Sequence, residues 1–100
     1  MDFWEDYTIK IIDKNKVNNY YKDFILNKVD LYIDYCHFNK HKIRRERVDL
    51  IINYEIFKFS GIVSKNIPKN NQKRIRDFFN LIFPEEKHIF REFLKNKVVK

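Results

Sequence analysis

Cys36, His37 and His41 are the first residues whose types suggest chemistry. Histidines at i and i+4 share a helix face and can hold a transition metal ion. The constellation stops there. On a helix Cys36 points about 100° away from His37, no third and fourth ligand follows, and His88 is remote in sequence. Two histidines at a helix end, where positive charge is welcome, account for the pattern without a metal, and no cofactor is expected.

Covalent catalysis fares no better. A nucleophile needs an adjacent base and a group that orients it. Cys36 lies beside aromatic residues on a core edge, Ser60 and Ser64 lack a glycine-rich elbow, and Gly61 is the one glycine, which excludes a phosphate-cradling glycine loop. The acid pairs Glu5–Asp6 and Glu85–Glu86 stand where helices begin. The expectation is a protein that is not an enzyme.

The basic segments are the strongest feature. In the run from Lys40 to Arg47, helical spacing places Lys40, Arg44 and Arg47 along one side. Lys69, Lys73 and Arg76 repeat the pattern opposite an Ile75, Phe78, Phe79, Ile82 face, and Arg45 and Arg74 complete the candidate set. Cations spaced this way neutralise phosphates and release counterions, which gives sequence-independent affinity for DNA or RNA. The competing reading is a solvated, lysine-biased surface. It has weight, because Lys, Asn, Ile, Phe and Tyr, the residues with AT-rich codons, make up 56 of the 100 residues and alanine is absent. Arginine is the better witness, because its forked donors suit phosphate.

Charge is unevenly distributed around a net +7. Residues 1–38 carry seven acids and five lysines, a balance of −2. Residues 39–76 carry eleven basic residues against Glu46, Asp49 and Glu55, a balance of +8. Such asymmetry points to a polyanionic partner. The longest uncharged stretch falls short of the roughly 20 residues of a membrane span. An acidic start, Met1 to Asp6, is unlike a basic signal-peptide region, and a lone cysteine suits a reducing compartment, so a cytoplasmic location is expected.

One glycine and two prolines leave little turn chemistry for hairpins, which favours helices. Asp2 reads as an N-cap for a helix bearing Phe3, Trp4, Tyr7 and Ile11. After Lys14-Asn15-Lys16, a stripe of Val17, Tyr20, Tyr21, Phe24, Leu31, Tyr32, Tyr35 and Phe38 predicts a long helix to about residue 39. Two adjoining stripes between Ile43 and Val63 predict a central, mostly buried helix ending near Ser60-Gly61. Residues 64–71, with Pro68, read as a loop. Asn70 or Asn71 caps the next helix, and Pro84 opens a last one whose apolar face is Ile89, Phe90, Phe93 and Leu94.

The expectation is an all-α, compact bundle of four to five helices in one domain, residues 1–100. An α+β fold with a small sheet from residues 6–12, 29–36 or 54–59 is the alternative. A helix-turn-helix with Gly61 in its turn would carry Pro68 inside the recognition helix, which breaks it. Two functions follow. One is a basic protein that contacts nucleic acid or a nucleoprotein complex. The other is an inhibitor or adaptor of phage or mobile-element type that grips a larger host protein, anti-CRISPR proteins being one example. The tyrosines Tyr20, Tyr21, Tyr32, Tyr35 and Tyr54 suit such a contact.

Overall fold

The computed structural model describes residues 3–61, 67–68 and 71–99. Its elements are α1 (Phe3–Lys14), α2 (Lys22–Phe38), α3 (Arg45–Ser60), α4 (Gln72–Ile82) and α5 (Lys87–Lys97), with two short strands, β1 (Ile67–Pro68) and β2 (Val98–Val99). The chain is an all-α bundle of five helices. The alternative sheet does not form, because residues 6–12, 29–36 and 54–59 all lie within helices. A two-residue parallel pair instead joins Ile67 with Val98 and Pro68 with Val99, β1 lying in the segment that reads as a loop and β2 at the end of the last helix. Among the described residues no helix is long and apolar enough to cross a membrane.

Helix α3 is the centre, packed against α1, α2 and α5, while α4 lies on α5. Its two adjoining stripes become Val48, Leu50, Ile51, Ile52, Tyr54 and Ile56, all buried. Tyr54 is ringed by Phe79, Phe90 and Phe93 with centroids 4.7, 5.5 and 5.6 Å away, and Phe79 stacks on Phe90 at 3.8 Å. Helix α4 stops at Ile82 because Pro84 pushes Phe83 out of the helical region, to φ −127 and ψ 61. A 3-10 turn, Pro84–Glu86, then leads into α5.

Two helices end on lysine. Lys16 and Lys40 have φ +54 and +56, the left-handed conformation usually given to glycine. At each end the same pair of bonds closes the helix. Lys16 N–H donates to Asp13 and Val17 N–H to Ile12; Lys40 N–H donates to His37 and His41 N–H to Cys36. The preceding asparagines, Asn15 and Asn39, donate their side-chain amides to Ile11 and Tyr35 one turn back. The sole glycine, Gly61, ends α3 with φ +74.

Helix α2 departs from its expected course in two ways. It starts at Lys22, after Asn18 accepts the Tyr20 N–H and starts a 3-10 turn at Asn19–Tyr21. Its buried side is Ile25, Val29, Tyr32, Ile33 and Cys36, whereas four of the eight residues of the stripe that sequence marks face outward. Tyr20, Phe24, Leu31 and Phe38 are 72%, 51%, 45% and 88% exposed.

A charged cluster joins α2, α3 and the turn before α5. Glu86 accepts hydrogen bonds from Tyr54 Oη and Lys58 Nζ, each at 2.9 Å, and pairs with Lys28. Glu55, 1% exposed, lies 2.9 Å from Lys58 Nζ. Two lysines and two glutamates leave the cluster neutral, as burial requires.

Candidate nucleic-acid interface

The basic residues are positioned by a relay of contacts that starts in the core. Tyr32, buried on α2, accepts the Arg44 backbone N–H at 3.1 Å and so fixes where α3 begins. Phe78 of α4 meets the Tyr32 ring edge-on at 5.5 Å. The Arg47 guanidinium covers the other side of this contact, 4.7 Å from the Phe78 centroid. Burial there, followed by the like charges of Arg74 and Arg44, lowers the Arg47 pKa from its usual value. Arg74 and Arg44, from two distant segments, thus both act on the Arg47 charge, and Glu46 opposes them in part.

The other candidate residues divide. Arg45 turns toward α1, its guanidinium 5.8 Å from the Tyr7 ring, and Tyr7 donates a 2.5 Å hydrogen bond to Asp49 Oδ1. Burial and that bond raise the Tyr7 pKa to about 12. Lys73 is exposed and paired with Asp77 at 2.9 Å, one turn on. Arg74 and Arg76 project about 200° apart around α4, so Arg76 lies on the flank away from Arg47. Lys69 lies outside the described residues. Lys40 forms no helical row with Arg44 and Arg47, because Asn39-Lys40 closes α2 and the chain runs without helix from His41 to Arg44. Among the described residues no carboxylate comes within ion-pair distance of Arg44, Arg45, Arg47, Arg74 or Arg76.

Arg44 also borders a cleft of about 330 Å³ between the start of α1 and the start of α3, with Phe3, Trp4, Lys42, Arg45 and Glu46 in its walls. Phe3 is 61% exposed and meets Trp4 edge-on at 4.8 Å. The first turn of α3, which has no side-chain cap at Arg44, adds its positive dipole end. Phe3, Trp4 and Lys42 are absent from the set marked by charge spacing. Nothing in the spacing of Phe3 and Trp4 marks them as different from core residues; it is the fold that leaves Phe3 61% exposed.

The earlier metal candidate is dispersed. Cys36 is buried with Sγ 3.9 Å from the Lys42 carbonyl, His37 is exposed, and His41 packs edge-on to Tyr35. Among the described residues no three His, Cys, Asp or Glu side chains gather as a metal site. Compared with protein-family models, curated proteins and solved structures, the chain matches none.

Proposed function

We propose that the protein binds nucleic acid, free or within a nucleoprotein complex, through phosphate contacts from Arg44, Arg47 and Arg74. The observation that carries this reading is that Arg44 and Arg74, from two segments far apart in sequence, both act on the Arg47 charge and Glu46 offsets them only in part, while among the described residues no carboxylate lies within ion-pair distance of any of the three. Cations in excess of their one carboxylate neighbour raise the local potential and favour a polyanion. Anisotropy titrations of a labelled oligonucleotide across salt test it. Three phosphate contacts give a slope of log affinity against log salt of about −2 to −3. The double variant Arg44→Glu, Arg74→Glu should abolish binding. Absence of binding at low salt, or an unchanged slope in the double variant, removes the proposal.

A second reading, contact with a protein, is favoured by the outer side of α2. Phe24, Leu31 and Phe38 recur every seventh residue, so they form a strip about 21 Å long. Asp23, Asp30 and Asp34 fall in one row along its edge, on a chain whose net charge is +7. An apolar strip with an acidic border fits an amphipathic helix with lysine or arginine flanks. Binding of a synthetic lysine-flanked leucine helix, lost in Phe24→Ser, Phe38→Ser, supports this. Concentration-dependent dimerisation by sedimentation, or no binding of that helix, counts against it.

A further inference from the structure

The aromatic wall of the cleft is not needed for phosphate contact, and phosphate contact does not account for it. Phe3 keeps most of its surface in water although large aromatic side chains gain by burial. Trp4 meets it edge-on, and Tyr7 follows with its ring roughly parallel to Phe3 at 6.3 Å. Lys42, Arg44 and Arg45 share the cleft with Phe3 and Trp4, and Arg45 holds its guanidinium 5.8 Å from the Tyr7 ring. Glu46 also lines the cleft, and three cations against one carboxylate leave it net positive. At about 330 Å³ the cleft lies at the small end of the range of small-molecule sites.

We propose that this cleft is a stacking subsite for an unpaired nucleobase, which makes single-stranded nucleic acid the ligand. The inference rests on the phosphate-binding reading above. Arg44 links the two, because it borders the cleft and its charge also acts on Arg47, as that of Arg74 does. A strand whose phosphates follow Arg74, Arg47 and Arg44 arrives at the rings of Phe3 and Trp4. A base in a duplex has both faces covered by its neighbours, whereas a single strand can turn one out onto an aromatic side chain. Stacking of this kind tolerates any base, since each has a π face.

Trp4 is the only tryptophan in the chain, so its emission reports on this cleft alone. The test titrates the full-length protein with a twelve-nucleotide oligo-dT, the matching dT·dA duplex, and inorganic polyphosphate of similar charge. The expected result is quenching of Trp4 by oligo-dT and little by duplex or polyphosphate. Phe3→Ala and Phe3→Leu should each weaken oligo-dT binding about ten-fold. Neither should change the salt slope or the affinity for polyphosphate. Two substitutions of different size separate loss of the ring from loss of packing. Salt-dependent binding without quenching, equal quenching by polyphosphate, or oligo-dT affinity indifferent to Phe3 would overturn the base subsite and leave phosphate binding standing. No binding of any of the three polyanions overturns both.

Discussion

Arg47 of α3 holds its guanidinium 4.7 Å from the centroid of Phe78 on α4, and this contact joins the packing of the bundle to the proposed binding face. A cation over an aromatic ring contributes about 0.5–1 kcal/mol at a partly exposed site. The same cation is offered to a phosphate. Arg47→Met keeps the apolar stem and removes both effects. Chemical denaturation should show a loss of about 0.5–1 kcal/mol, and the salt slope of oligonucleotide binding should fall by about 0.9. Arg47→Lys retains the charge, so its salt slope should stay near that of the parent. A double-mutant cycle with Phe78→Leu gives the coupling; additive stability changes would show that the ring contact contributes nothing.

Glu86 is the acceptor on which the buried charges converge, with Tyr54, Lys58 and Lys28 all directed at its two oxygens. Removing its charge takes away the ion-pair partner of Lys28 and leaves Lys58 with Glu55 alone, and breaking a buried pair in this way costs about 3 kcal/mol or more. Glu86→Gln is therefore expected to lower unfolding free energy by about 3 kcal/mol. Lys73→Ala, which breaks the exposed pair with Asp77, should change it by less than about 0.5 kcal/mol. Urea titrations of the two variants make the comparison, and equal effects would show that burial does not distinguish the pairs.

Glu55 carries the opposite sign. Burial raises its pKa, and Lys58 and Lys28 only partly oppose that shift. Between the unfolded value and the raised folded value, the native state holds more protons than the unfolded state. Its contribution to stability therefore falls as pH rises through that window. Glu55→Gln removes the titration, so the stability of the variant relative to the parent should improve as pH rises above the ordinary carboxylate value of about 4 and level off once the raised folded value is passed. The check is a series of urea midpoints against pH. A difference that shrinks with rising pH would show that the ionised carboxylate is favoured where it sits.

The parts of the fold that sequence makes legible are those with a single apolar stripe. Phe79 on α4 and Phe90, Phe93 and Leu94 on α5 are buried as their spacing predicts. Helix α2 has two stripes, one through Phe24, Leu31 and Phe38 and another through Ile25, Val29, Ile33 and Cys36. Periodicity identifies the helix but not which stripe the bundle covers, and aromatic size pointed to the wrong one. The basic set divides for a similar reason. Arg44 and Arg74 both act on Arg47 because Tyr32 and Phe78 hold the start of α3 against α4, which is a tertiary relation with no local signature. The row through Lys40 failed because the left-handed turn that ends α2 is made by a lysine. Phe3 and Trp4 show in sequence only as part of an amphipathic helix, and the exposure of Phe3 is set by tertiary packing.

That turn supports a last prediction. Lys16 and Lys40 occupy a conformation in which an L side chain's Cβ crowds the following carbonyl, at a cost of roughly 1 kcal/mol each. Asn15 and Asn39 offset part of it by bonding one turn back, which explains how a chain with one glycine still ends two helices cleanly. Lys16→Gly and Lys40→Gly are each expected to stabilise the fold by up to about 1 kcal/mol, through relief of that crowding. The two sites are independent caps on different helices, so the gains should add. Gly61→Ala should do the reverse at φ +74, losing about 1 kcal/mol, although its Cβ would meet no atom within 4 Å. Because space is free at Gly61, any loss there measures backbone conformation alone. Urea denaturation of the four proteins, parent included, checks the set. Lysine-to-glycine variants that lose stability would mean that the lysine side chains contribute more than their backbone strain costs.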